Sequence, residues 1–108
     1  MAKPTKKIAD NFDVSTGDKD FDSGKVEEEK VTTQLIWSSL TGTLDGVVKL
    51  QGSNDEVNYD DLGLSKTLNS ASNSHSFIDF EFGHEFLRAK LTVNGLTGGN
   101  LTIIIKPK

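Results

Sequence analysis

Apolar and polar residues alternate along short stretches of the chain, which is the period of a half-buried β-strand. The clearest example lies within 47–62, where Val48 and Leu50 alternate with polar residues. A polar run at 52–55 then favours a turn, and the strand pattern restarts at Val57. This stretch predicts an antiparallel hairpin.

The same alternation predicts four further strands, at 31–40, 76–82, 85–93 and 100–106. The Ser- and Asn-rich segment 63–74 predicts a loop that has room for a short strand. Asn94-Gly95 is a preferred two-residue hairpin turn, although Leu96-Thr97-Gly98-Gly99 extends the connection. Short strands separated by turns predict an all-β fold, a small antiparallel β-sandwich of the immunoglobulin-like or jelly-roll-like kind. The side chains predicted to face its core are Leu35, Trp37, Val48, Leu50, Leu62, Ile78, Phe80, Phe82, Leu87, Ala89, Leu91, Val93, Leu101, Ile103 and Ile105.

Residues 1–30 differ from the rest of the chain because they contain few apolar side chains. Between residues 10 and 29 there are eight acidic residues and only two basic ones. Low hydrophobicity with excess charge favours either a solvated tail or an arm that becomes ordered on contact with its own domain or a neighbour. The pattern therefore predicts two units, a charged N-terminal arm at 1–30 and a β-sandwich domain at 31–108.

Composition narrows the function classes. The 108 residues include no Cys, so thiol nucleophiles and thiolate metal sites are excluded. A net charge of −4 argues against general nucleic-acid binding, and the longest apolar runs are too short to span a membrane. No apolar run follows the basic N-terminus, so no signal peptide is expected. A domain of this size is marginally stable alone, which favours oligomerisation or docking onto a larger body.

Catalysis has little support in the sequence. His75 and His84 are the only histidines, each at a predicted strand edge or turn. No Gly-x-Ser-x-Gly elbow or glycine-rich phosphate loop with its following helix occurs. We therefore expect a protein that is not an enzyme and has no cofactor.

Two binding chemistries are possible near the first hairpin. The oxygen ligands Asp55, Asn58 and Asp60 are candidates for Ca²⁺, although their spacing does not match an EF-hand and favours a solvated turn. Trp37 and Tyr59 are the candidates for a sugar-stacking platform. Because Trp37 shares a strand face with Leu35, core packing is the favoured interpretation for its ring, whereas Tyr59 is expected at a strand edge.

Isolated or outward-facing apolar residues are candidates for contacts with partners. Ile104 is predicted to point outward, close to Phe86 or Phe77, where it would make part of the outer surface apolar. The residues expected to contact partners are Phe12 and Phe21 in the arm and Phe86 and Ile104 in the sandwich.

The segments 48–62, 86–93 and 99–106 resemble the small β-sandwich modules of tailed-bacteriophage virion proteins. The shared pattern is Gln-Gly-Ser-Asn-Asp-x-x-Asn-Tyr-x-x-Leu, a Leu-Arg-x-Lys strand and a final Gly-x-Leu-Thr-Ile strand, and it covers roughly residues 31–108. Glu56 stands where the pattern has a turn glycine. The family includes capsid decoration or auxiliary proteins and modules of heads and tails.

The resemblance implies a non-enzymatic virion structural protein that decorates or stabilises the capsid, or forms a repeated head or tail component. It also implies contacts with capsid or other virion proteins, a homo-oligomer, a location in the virion and no catalytic residues. Similar strings occur in carbohydrate-binding and discoidin-like sandwiches. A carbohydrate-binding or host-adhesion module is therefore the alternative.

Overall fold

The structure, a computed structural model, describes residues 5–26 and 28–107. Its regular elements are β-strands and one short 3-10 turn at Val14–Thr16. Within the described ranges, no helix is long and apolar enough to cross a membrane. The strands are β1 (Lys6–Asp13), β2 (Lys19–Lys25), β3 (Lys30–Gly42), β4 (Gly46–Ser53), β5 (Asp60–Leu68), β6 (Asn73–Glu81), β7 (Phe86–Thr92) and β8 (Leu96–Pro107).

The strands form two four-stranded antiparallel sheets, which confirms the predicted β-sandwich. Sheet A has the order β1-β8-β3-β6, and sheet B has the order β2-β7-β4-β5. Alternate side chains of the central strands are buried between the sheets, where Leu35, Leu50 and Ile103 have no exposed surface. The core is thus built from the period-2 pattern that the sequence carries.

One residue of the predicted core, Ile78, is instead 71% exposed. In the β3–β6 ladder Val31 pairs with Phe80 and Thr33 pairs with Phe77, so two residues of β6 oppose Thr32 alone. This β-bulge shifts the inward and outward alternation, and both Phe77 and Phe80 pack against the core. The prediction for Ile78 was therefore wrong because it assumed an uninterrupted strand.

The hairpin turn is longer than predicted, and β5 begins at Asp60 rather than Val57. The backbone N–H groups of Val57 and Asn58 donate to the Asp55 carboxylate and are not part of a ladder. The segment 63–74, predicted as a loop with room for a short strand, contains more strand than expected, since β5 continues to Leu68 and β6 begins at Asn73. Gly63, with φ of +76°, lies in a bulge that shifts the β4–β5 register between Leu50 and Gln51.

The described part of the N-terminal segment is ordered on its own domain, one of the two forms that the sequence left open. β1 pairs with β8 at one edge of sheet A, and β2 pairs with β7 at one edge of sheet B. Ala9, Val14 and Phe21 are buried in the core. Residues 1–4 and Glu27 lie outside the described residues, and the independence of 31–108 as a folding unit stays a prediction.

Candidate functional site

The loop proposed for Ca²⁺ is held together by its own side chains. The Asp55 carboxylate accepts hydrogen bonds from the Ser53 hydroxyl and from the backbone N–H groups of Val57 and Asn58, at 2.8–2.9 Å. It also accepts from the Asn58 side-chain amide at 2.8 Å. These donors lower the pKa of Asp55 well below its usual value, most strongly the Asn58 backbone N–H. Asp55 therefore organises a turn.

Asp60, the third proposed ligand, is the exposed first residue of β5. Within 5–26 and 28–107, no group of three or more His, Cys, Asp or Glu side chains has an arrangement that could hold a metal ion. The structure thus gives Asp55 and Asn58 a local structural role, and it brings no further acidic ligands to them.

The two histidines lie in different settings. His75 is on β6 and makes an edge-to-face contact with Phe77, with ring centroids 4.8 Å apart. His84 lies between β6 and β7 and packs beside Gly52, and its buried Nδ1 has no hydrogen-bond partner among the described residues. In the described part of the chain, no hydrogen bond joins either histidine to a serine or a carboxylate.

Trp37 is buried and Tyr59 is half-buried, which agrees with the sequence prediction. The Trp37 side chain is only 2% exposed, and its indole N–H donates to the Ser70 carbonyl oxygen at 3.0 Å. Tyr59 is half-buried just before β5, with the Arg88 guanidinium 3.7 Å from its ring centroid. Burial, aided by the nearby Asp22 carboxylate, raises the pKa of the Tyr59 hydroxyl. Of these two rings, Tyr59 is therefore the one that a ligand could reach.

The structure does not bring the four predicted contact residues together. Phe12 and Phe21 form an edge-to-face pair with centroids 5.0 Å apart, and Phe21 is buried in the core of its own domain. Ile104 lies on the outer face of sheet A, as predicted. The expected proximity of Ile104 to Phe86 or Phe77 was wrong, because Phe86 belongs to sheet B and Phe77 packs against the core.

The neighbour of Ile104 is instead Ile36 on β3, a diagonal partner across the ladder, and Ile36 is 37% exposed. The β3, β6 and β8 residues paired with these two isoleucines are uncharged, and Lys7 of β1, the other ladder partner of Ile104, borders them. We call this surface the neutral patch, and its residues are Gln34, Ile36, Ser74, Ser76, Thr102 and Ile104. A surface with an exposed and a half-buried isoleucine among uncharged polar residues costs little free energy to remove from water, which suits contact with another protein.

The outer face of sheet B is different in character because most of its side chains are charged. The ladders align two rows across its four strands, about 14 Å wide at ordinary strand spacing. We call this surface the charged face, and its rows are Asp20, Lys90, Lys49 and Ser65, and Asp22, Arg88, Gln51 and Asp61.

Arg88 is the most tightly held residue of the charged face. Its Nε donates to Asp22 Oδ1 at 2.7 Å, and its Nη1 lies 3.6 Å from Asp20 Oδ2. The hydrogen bond to Asp22 is the main reason that the pKa of Arg88 is raised. In the same row the Gln51 side-chain amide donates to Asp61 Oδ1 at 2.7 Å. The other row, Asp20, Lys90, Lys49 and Ser65, contains no such bonds between its members within the described ranges.

The grouping of residues into the neutral patch and the charged face is not apparent from the sequence. Alternation already places Lys49, Arg88 and Lys90 on outward faces, so their exposure could have been predicted. Their alignment depends on β4 pairing with β7 and on β2 pairing with β7, and Arg88 and Asp22 are 66 residues apart. No local signal in the sequence determines these registers.

Comparison of the chain with protein-family models gives no match, and comparison with curated proteins gives none. Solved structures match at low identity. The enzymatically active domain of tailspike protein 4 from bacteriophage CBA120 has a TM-score of 0.53 at 12% identity, covering 83% of this chain and 13% of that one. The carbohydrate-binding module CBM4 has a TM-score of 0.52 at 12% identity, covering 84% of this chain and 61% of that one.

A third match is VP2 of infectious bursal disease virus in a subviral particle, with a TM-score of 0.50 at 7% identity over 96% of this chain and 32% of that one. The chain thus spans less than two thirds of each of these three proteins. At such identities the similarity concerns the fold alone. The chain is a β-sandwich of a kind that occurs in carbohydrate-binding and viral proteins.

Proposed function

We propose that this chain is a non-enzymatic structural module of a phage particle, which decorates or stabilises the capsid or forms a repeated head or tail component. The observation that carries the proposal is the neutral patch on sheet A. In a chain with 26% charged residues, six neighbouring outward positions lack charge, and two of them are isoleucines. The sequence resemblance to virion modules and the viral examples of the fold support the same role.

The neutral patch would act by docking on another virion protein. Burying Ile36 and Ile104 removes apolar surface from water, at roughly 25 cal/mol per Å². The surrounding Ser, Thr and Gln side chains can exchange their hydrogen bonds with water for bonds to the partner. One such contact is weak, but many copies on one particle add up through effective concentration. The proposal also includes a homo-oligomer, in which copies of this chain contact each other.

The test uses particles purified from cells that express a tagged chain from its native gene. The chain should be found in these particles in many copies by quantitative mass spectrometry. The single variants Ile36→Lys and Ile104→Lys should each remain folded and be lost from the particles by at least about tenfold, since each places a charge in the contact.

Val57→Lys is the matched control, because Val57 is 77% exposed in the turn before β5, away from the neutral patch. It should be incorporated like the wild type. Absence of the chain from particles would refute the virion role. Normal incorporation of both isoleucine variants would refute the neutral patch as the docking surface. Light scattering of the purified chain over a concentration series tests the homo-oligomer separately.

The alternative, a carbohydrate-binding or host-adhesion module, is favoured by one observation. Tyr59 is a half-buried ring at the border of the charged face, beside Arg88. Trp37 gives this alternative no support, since its ring is buried in the core.

A further inference from the structure

Two lysines of the charged face lie opposite each other and form no ion pair with a described carboxylate. Lys49 and Lys90 are direct partners in the β4–β7 ladder, and both are exposed. Like charges at directly opposed positions destabilise a sheet. Within the described ranges, neither ammonium group takes part in a hydrogen bond or an ion pair.

The neighbouring carboxylates make their close contacts with other residues of the face. Asp20 is the ladder partner of Lys90, but its carboxylate lies 3.6 Å from the Arg88 guanidinium. Asp61, in the next row of the charged face, accepts from Gln51. Both ammonium groups at the centre of the face therefore remain available to pair with an anionic group from outside the chain.

The border of the charged face requires a ligand to carry hydrogen-bond donors as well as anionic groups. Carboxylates stand on both sides of the lysine pair, on β2 and on β5. Beside Lys49 there is a shallow depression of about 180 Å³, lined also by Asp61, Gly63 and Ser65. A ligand that fits must bring anionic groups to the centre and hydrogen-bond donors to the two sides.

We propose that the charged face binds an acidic polysaccharide, whose carboxylate or sulfate groups pair with Lys49 and Lys90. Its hydroxyl groups donate to Asp61 and accept from Gln51, and Tyr59 borders the site at one end. An acidic polypeptide fits less well, because its acidic side chains bring no hydroxyl donors to Asp61. The inference does not depend on the virion role and would survive its failure.

The experiment measures binding to the full chain by calorimetry at low ionic strength. The probes are oligogalacturonate, which carries carboxylates, and dextran sulfate, which carries sulfates. Each has a neutral counterpart with the same backbone, methyl-esterified oligogalacturonate and dextran. Poly-glutamate represents the acidic polypeptide. We expect the wild-type chain to bind at least one charged polysaccharide and to bind its neutral counterpart much more weakly.

The double variant Lys49→Gln/Lys90→Gln should lose roughly tenfold or more in affinity, since each exposed charge pair contributes up to about 1 kcal/mol. Lys106→Gln is the matched control, because this exposed lysine lies on sheet A and its loss should leave binding unchanged. Added salt should weaken wild-type binding by screening.

A second measurement distinguishes a binding role of the two lysines from a role in stabilising the fold. The Lys49→Gln variant lacks one of the two opposed lysines and therefore their mutual repulsion. At low salt its melting temperature should equal that of the wild type or be higher. A clearly lowered melting temperature would overturn the inference. So would the absence of binding to both charged polysaccharides, unchanged affinity in the double variant, or equally tight binding of poly-glutamate.

Discussion

The adjacent threonines Thr32 and Thr33 of β3 should respond in opposite directions to the same substitution by valine. Thr33 is fully buried, and its hydroxyl has no hydrogen-bond partner in the described part of the chain. The Thr32 hydroxyl donates to Asp79 Oδ1 at 3.0 Å and accepts from the Asp79 backbone N–H at 2.9 Å. Valine keeps the shape of threonine and replaces the hydroxyl by a methyl group.

The expected magnitudes follow from these partners. A buried hydroxyl without a partner costs about 1–3 kcal/mol, so Thr33→Val should stabilise the fold by about 1–2 kcal/mol. Thr32→Val removes a hydrogen bond and leaves the Asp79 N–H without its acceptor, which should destabilise by about 1 kcal/mol. The two variants should then differ by roughly 2–3 kcal/mol, which is about 10 °C or more in melting temperature for a domain of this size.

Urea unfolding followed by fluorescence suits the measurement, because Trp37 is the only tryptophan and is buried. Thr67→Val on the edge strand β5 serves as the control for the intrinsic difference between threonine and valine in a strand, since Thr67 is exposed and paired with Val47 in the ladder. A Thr33→Val variant that is less stable than the wild type would contradict the reasoning. So would a Thr32→Val variant that is as stable as the Thr67 control.

Three further predictions concern the turn and the N-terminal strands. Glu56 has φ of +63°, so Glu56→Gly should stabilise the chain by about 0.5–1 kcal/mol in urea unfolding, and a loss of stability would contradict the strained turn. The pKa of Asp55 is lower in the folded chain than its ordinary 3.8, so the stability from its ionised form is present above about pH 4 and is lost as the pH falls below that. Asp55→Asn should therefore be less stable than the wild type at neutral pH and lose less stability on acidification below pH 4 in a denaturant series; parallel pH curves would disprove the linkage. Deletion of 1–25 removes the buried Phe21 together with two edge strands and should remove several kcal/mol of stability in thermal unfolding, whereas an unchanged cooperative transition would support 31–108 as an independent domain.

The inward residues of the central strands could be predicted from the sequence because the side-chain period of a strand is a local property. Leu35, Leu50 and Ile103 follow the alternation and are buried. The Asn94-Gly95 turn was also predictable, since its conformation is set by the two residues themselves. The predicted extension of this connection to Gly99 was wrong, because β8 begins directly after the turn at Leu96. Asn94 has φ of +50°, and Leu96 N–H bonds to the Val93 carbonyl oxygen across the turn.

Local patterns failed where pairing with a distant strand determined the conformation. Ile78 is exposed because β6 bulges against β3, which the alternation in β6 alone does not reveal. β1 and β2 contain few apolar residues, and they are strands because β8 and β7 offer them unpaired edges. Their order comes from hydrogen bonding across the sheets more than from their own hydrophobicity.

The candidate surfaces depended most on tertiary structure. Alternation within each strand already indicates that Ile36, Ile104, Lys49 and Lys90 point outward. Only the strand order placed Ile36 beside Ile104 in sheet A and set Lys49 opposite Lys90 in sheet B. The physical reason is that register between strands far apart in the chain is set by the packing of the whole core, so the grouping of outward side chains is a property of the folded sheets.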